Sequence, residues 1–277
     1  MIQHFIAMKL TDKLILAISL TIAQAFAPSL IGAGGASSLC AQNRAAEEIS
    51  KAAADSAYAQ ENYSEAAQIY QTLIDSLGES AVLYYNLGNC YFRQDSIARA
   101  ILNYERARLL DPTDDDLAFN LEMARTKTVD KVAPANDMFF VTIFRSLVLS
   151  MTVRGWKILG ISAFVLMLLG AAVYLFAPVL TAKKMGFTAA VLLLIICIFA
   201  NIAAAQQRSQ VQHRTGAILM APSAVVKSTP SASGTDLFIL HEGTHVQIVD
   251  DSMREWVEVR MSDGKEGWLL RNEIEVI

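Results

Sequence analysis

The sequence predicts a multidomain chain: an all-α domain of helical repeats, a two-helix transmembrane hairpin and a C-terminal all-β barrel. Three observations carry this prediction. Two uncharged apolar runs, 158–180 and 185–205, stand near the middle of the chain. Ahead of them, small and aromatic residues recur at a spacing of 34. After them, hydrophobicity alternates with a period of two, the signature of half-buried strands.

Composition bounds what these parts can do. The chain has 277 residues, of which 53% are hydrophobic and only 18% charged. Residues 42–130 carry 15 acidic against 8 basic side chains, residues 131–214 carry 1 against 8, and residues 215–277 carry 10 against 5. Two acidic parts flank a basic, apolar one. Acidic surfaces repel phosphate backbones, which argues against nucleic acid as a partner. Cys40, Cys90 and Cys197 lie far apart, so neither a disulfide framework nor a cysteine metal site can be read.

Residues 1–41 read as a secretory signal. Lys9 and Lys13 supply the positive region, 14–26 the apolar core, and 32–38 a small-residue stretch leading to cleavage after Ala41. Met8 is an alternative start. Ser37-Ser38-Leu39-Cys40 is a poor lipoprotein signal, because the residue before the cysteine should be small. The other reading is an uncleaved anchor; in both, the repeat segment is exported.

Residues 42–130 contain the repeat, with copies at about 47–80 and 81–114 and a capping helix at about 117–127. Shifted by 34, Ala54 falls on Gly88, Ala66 on Ala100 and Tyr70 on Tyr104. Gly88 and Ala100 are small enough for two helices to approach closely, and Tyr91 and Tyr104 fill the space between neighbours. Pro112 stops the second helix. This pattern of Leu87, Gly88, Tyr91, Ala100, Tyr104, Ala107 and Pro112 resembles the tetratricopeptide repeat (TPR). The first copy departs from it: Ala57 and Leu73 replace the expected aromatic and alanine, and Gly78 stands in the place of proline. The resemblance implies a concave, partner-binding face, on which Tyr85, Asn86, Asn89, Arg93 and Asn120 are expected. Asparagines there match the family's peptide-clamping helices. Ala52 and Asp55 stand where cations or asparagine would help, which weighs against a carboxylate clamp. The plainer reading is solvated helix surface.

Residues 131–157 form a juxtamembrane amphipathic segment. Phe139, Phe140, Ile143 and Phe144 precede Arg154, Trp156 and Lys157. The segment is either a helix in the headgroup layer, with Trp156 and the cations at the interface, or an N-terminal extension of the first span. Each apolar run suffices for a helix of about 30–35 Å, the thickness of a bilayer core. Only residues 181–184 separate them, so the segments on either side of the hairpin share one face of the membrane. Lys183 and Lys184 oppose Arg154, Lys157 and Arg208 in the positive-inside count. The signal settles the orientation instead, placing both flanking domains in the periplasm of a bacterial inner membrane.

Residues 212–277 show five strand-like stretches at 217–220, 237–240, 246–249, 256–261 and 268–270, enough for a small barrel. In the fourth, Val257, Val259 and Met261 form the core face, while Trp256, Glu258 and Arg260 point away. The run from Leu237 to Val246, then Trp256-Val257-Glu258-Val259, then Asp263 to Leu269, resembles the bacterial SH3-like (SH3b) domain. Trp256 is either part of a peptide groove on that barrel or packed against a loop.

His241-Glu242-Gly243-Thr244-His245 matches the HExxH pattern of zinc proteases letter for letter. That chemistry needs both histidines on one helical face. Here the run lies between strands with glycine at its centre, and His4 and His213 offer no third ligand. Cys90 falls inside a repeat helix and reads as a core residue. No phosphate-cradling loop or nucleophile–base arrangement stands out, so no cofactor or enzymatic activity is expected.

The order of signal, TPR, paired spans and SH3b resembles the BatE proteins of the bacterial aerotolerance (Bat) operon. The resemblance implies a non-enzymatic scaffold in a membrane complex with von Willebrand A-domain Bat proteins and, indirectly, a MoxR-type ATPase. It also implies a role in stress tolerance or envelope integrity. An envelope sensor that binds peptidoglycan peptides through the SH3b domain is the alternative.

Overall fold

The computed structural model describes residues 50–131 and 139–277. The expected signal, 1–41, lies outside the described residues, as does part of the approach segment. The chain divides into Met1–Ser50 and Lys51–Ile277, and the helices and strands named here belong to the second unit.

Helices over 51–59 (α1), Tyr63–Leu77 (α2), Ala81–Arg93 (α3), Ile97–Leu110 (α4) and Asp115–Thr126 (α5) build the repeat region. Their ends obey local chemistry. Glu61 and Asp95, 34 residues apart, both adopt left-handed backbone (φ 62° and 59°) in the turns after α1 and α3. Asp114 Oδ1 accepts from the Leu117 N–H at 3.0 Å and caps α5, and Asp115 and Asp116 complement the dipole of its first turn. α4 ends two residues before Pro112.

The small residues act as the repeat pattern predicts. A Cβ on Gly88 would lie 2.6 Å from the Tyr104 ring, so α3 and α4 approach as closely as they do only with glycine there. Ala54, Ala66, Tyr70, Leu87, Ala100, Ile101, Tyr104 and Ala107 form the buried core, which α5 extends with Leu117, Leu121 and Ala124. Ile218 and Ile277, from the C-terminal region, belong to the same core.

Three apolar helices come next: Phe139–Leu149 (α6), Val153–Phe176 (α7) and Leu180–Gln212 (α8). Among the described residues, α7 and α8 are the two long and apolar enough to cross a membrane. They turn at residues 177–179, earlier than the expected 181–184. Pro178 is the reason: it disfavours helix at the residue before it, and Ala177 is extended (φ −65°, ψ 136°). Lys183 and Lys184 therefore ride in the first turns of α8. The helices meet through small residues: a Cβ on Gly186 would lie 2.8 Å from the Gly170 carbonyl oxygen. Leu169, Phe176, Leu192 and Ile195 point outward and are exposed. Small residues provide the contact between the two helices, as they also do between helices in an apolar solvent.

α6 is a separate helix, not an N-terminal extension of α7. The break falls at Ser150, Met151 and Thr152, and Thr152 Oγ1 accepts from the Gly155 N–H at 3.2 Å. Trp156, expected at the membrane interface, is buried instead. Its Nε1 donates to the Val148 carbonyl at 2.9 Å, and its ring meets Phe199 edge-on. Gln207 of α8 donates to the carbonyls of Val148 (2.6 Å) and Met151 (2.7 Å). These bonds satisfy the C-terminal end of α6 and tie it to the hairpin.

Seven antiparallel strands complete the described residues: Gly216–Leu219 (β1), Ser223–Lys227 (β2), Asp236–His241 (β3), His245–Asp250 (β4), Trp256–Arg260 (β5), Glu266–Leu270 (β6) and Ile274–Val276 (β7). They form one open sheet in the order β3-β2-β6-β5-β4-β1-β7. All five expected strands are present; β2 and β7 are additional. Val257, Val259 and Met261 face the core with Leu219, Val226, Leu240, Val246 and Leu269, as the alternation predicts.

Candidate protein-binding surface

Three of the five expected concave-face residues meet in one hydrogen-bonded array. Tyr104 Oη donates to Asn89 Oδ1 at 2.7 Å. Asn120 Nδ2 donates to the same oxygen at 3.1 Å and to Tyr85 Oη at 2.9 Å. The Tyr85 and Tyr104 rings lie 6.0 Å apart. Burial, then the neighbouring tyrosines, push the Tyr104 hydroxyl up from its ordinary pKa, so it stays a neutral donor. Asn89 Nδ2 and Asn120 Oδ1 take no part in the array. A donor and an acceptor on half-buried side chains are what an extended peptide backbone requires.

The other two residues sit apart from this array. Arg93 is exposed at the end of α3 and donates from Nη2 (2.7 Å) and Nε (3.1 Å) to the Tyr63 hydroxyl. It joins the second copy to the first. Asn86 is half-buried on α3. Tyr104 belongs to the array yet was not among the expected residues: the 34-residue register sets it on Tyr70, and the repeat pattern gives it the space between helices to fill. Trp256 lies on β5, opposite Leu270, half-buried on the sheet face away from the core.

The HEGTH run forms the turn that links β3 to β4, two strands that are not neighbours in the sheet. His241 ends β3, His245 begins β4, and Gly243 has φ 82°. Asp130 holds this turn: its Oδ2 accepts from the His241 N–H (2.7 Å) and Thr244 Oγ1 (2.8 Å), and its Oδ1 lies 2.9 Å from His241 Nδ1. Burial alone would raise the Asp130 pKa; the His241 and Thr244 bonds outweigh it and hold the carboxyl below its ordinary range. A Cβ on Gly243 would come within 2.8 Å of Thr128 Cγ2, so the turn is seated against the end of the helical region. Burial likewise holds His245 below the usual imidazole value. Among the described residues, no three His, Cys, Asp or Glu side chains are grouped to hold a metal ion. Cys90 is buried, and desolvation pushes its thiol up to about 12.

Sequence reasoning missed the contact between sheet and repeats. Arg106 of α4 donates to the Val276 carbonyl at 2.6 Å and to Glu275 Oε1 at 3.0 Å. Arg214 forms an ion pair with Glu79, which also accepts from Tyr84 Oη at 3.1 Å. These partners lie over a hundred positions apart, and no local pattern announces them.

The tetratricopeptide repeat family model matches residues 81–114, which are α3, α4 and their flanks. No curated protein matches the chain. The helical region thus contains a TPR repeat, at α3 and α4, a motif that suggests protein–protein contact.

Proposed function

We propose that the chain is a non-enzymatic scaffold, anchored in a membrane by α7 and α8, that holds a protein partner on the concave face of its TPR region. The Tyr85–Asn89–Asn120 array carries this reading. It is set in place by Tyr104 and offers the paired donor and acceptor that an extended peptide needs. The two long apolar helices and the outward direction of their large side chains support the anchor. The sheet, with its valine-lined core and Asp263-Gly264 turn, is read as SH3-like. The whole-chain resemblance to BatE proteins supports a bacterial inner-membrane location with both domains periplasmic. It also supports von Willebrand A-domain Bat proteins as partners, coupled indirectly to a MoxR-type ATPase.

Crosslinking and co-purification of the intact protein from its native membranes tests the scaffold reading. Asn89→Ala combined with Asn120→Ala should lose specific membrane proteins that the parent retains, with insertion unchanged. Equal recovery by parent and variant overturns it.

One observation favours a second reading. Trp256 and Trp268 lie diagonally across β5 and β6 on the face away from the core. A sensor that binds peptidoglycan peptides there would lose muropeptide binding on Trp256→Ala and keep its protein partners.

A further inference from the structure

α6 carries its large apolar side chains on the outside. Phe139, Phe140, Ile143, Phe144 and Leu147 are between 42% and 80% exposed. At about 100° per residue they fall within one arc of about 140°. An apolar arc of that width is the face a helix ordinarily buries, and left open it marks a contact surface.

The surroundings of α6 show where that arc points. Arg145 and Leu149, on the opposite side of the helix, line the cleft that α6 makes with α4 and the sheet. The apolar arc therefore turns away from the repeats and the sheet. Val148, just beyond the arc, packs against Ala200, Ala203 and Ala204 of α8. The Phe144 ring meets Phe199 of α8 edge-on, with centroids 6.3 Å apart. Phe199 lies inside the uncharged run of α8, about 9 Å before its end at Ala205. Its neighbours Ile195, Ile198 and Ile202 are exposed as well. The open face of α6 thus continues the apolar surface of the hairpin, close to where the uncharged run ends. With 11 residues, α6 is about 16 Å long, roughly half of what crossing a bilayer core requires. Trp156 and Gln207 hold its C-terminal end to the hairpin, so its position is fixed with respect to α7 and α8.

We propose that α6 is a third, non-crossing membrane element, whose phenylalanine-rich arc lies in lipid at the boundary between headgroups and acyl chains. This inference rests on the membrane reading of α7 and α8. The test uses the full chain in phosphatidylcholine nanodiscs, with one spin label at a time and collision with oxygen or a water-soluble nickel chelate as readout. Cys40→Ala and Cys197→Ala clear the background; Cys90 is buried, its thiol pushed up to about 12, and stays unlabelled. The labelled positions Phe140, Leu147 and Leu169 are exposed, so Phe140→Cys, Leu147→Cys and Leu169→Cys leave the packing intact. Labels at 140 and 147 should favour oxygen and read about 5–10 Å below the phosphates. A label at Thr142→Cys, outside the arc, should favour the nickel chelate. Leu169→Cys, midway along α7, scores the membrane reading separately. If the label at 169 meets the nickel chelate freely, the hairpin is not inserted and both readings fall. If 169 is deep while 140 and 147 behave like 142, the lipid contact of α6 alone is overturned. Shielding of 140 and 147 from both reagents would also overturn it, because a protein surface would then cover the arc.

Discussion

The two repeat copies fold alike but hold themselves together differently. In the second, Tyr104 donates to Asn89, a neutral amide that also takes a bond from Asn120. In the first, Tyr70 donates to Asp55, one period earlier in each partner, and Asp55 is paired with Lys51 at 2.8 Å. The tyrosine is buried in both. The acceptor alone changes, from a member of a hydrogen-bonded array to an exposed charge with a surface ion pair. One backbone register thus serves two ends: a charged surface pair in the first copy and a hydrogen-bonded array of neutral polar groups in the second.

Breaking the register should separate the copies most strongly at their helix contact. Gly88→Ala gains about 1 kcal/mol in helix propensity, yet its Cβ would strike the Tyr104 ring, so we expect net destabilisation of about 2 kcal/mol. The reciprocal Ala54→Gly should destabilise by about 1–2 kcal/mol, through helix propensity and the loss of a buried methyl group. Denaturant unfolding followed by circular dichroism reads both. If Gly88→Ala stabilises the protein, the close approach of α3 and α4 is wrong.

The hydroxyls come next. Tyr104→Phe removes one of two donors to Asn89 and should destabilise by about 1 kcal/mol. Tyr70→Phe, next to a hydrated carboxylate that keeps Lys51, should do about half as much. Equal effects would erase the distinction between a built array and a surface pair.

The smallest expected difference is in acid. Burial is the largest single influence and raises the Asp55 pKa, but the bonds from Lys51 and Tyr70 together outweigh it and hold the carboxyl below the ordinary value. Its contribution is therefore complete above about pH 4 and lost as pH falls through the folded-state value. Asn89 cannot titrate. Hydrogen exchange between about pH 5 and pH 2 should loosen α1 and α2 ahead of α3 and α4, and Asp55→Asn should remove that order.

How much of this was legible depended on how local the cause was. The second copy carries Gly88, Tyr91 and Pro112, and both the pattern and the family match find it. The first carries Ala54, Ala57 and Gly78 in their places; it shows itself by spacing and folds the same way because the core asks only for small and apolar residues there. The hairpin turn was misplaced because a run of uncharged residues gives no boundary, whereas Pro178 does. β2 and β7 escaped notice because they are short, and β2 is squeezed between Pro222 and Pro230. The role of HEGTH as a docking turn was invisible, since Asp130 lies 111 residues before His241. The array around Asn89 was half legible: the TPR resemblance points to Tyr85, Asn89 and Asn120, but only packing brings Asn120 from α5 against Tyr85 and adds Tyr104.

The shared core of repeats and sheet has a consequence for biogenesis. Ile101 leaves the ribosome more than a hundred residues ahead of Ile218 and Ile277, which complete its surroundings. Between the two come α6, α7 and α8. During synthesis the flank of α4 that receives β1 therefore stays bare while the apolar helices are being delivered. The repeat region is a platform that waits for its lid, and the nascent chain carries a sticky apolar strip through the whole of that interval. If α7 and α8 cross a bilayer, as proposed, a hairpin is the arrangement that returns the chain to the face it left, where β1 and Ile277 can close that strip.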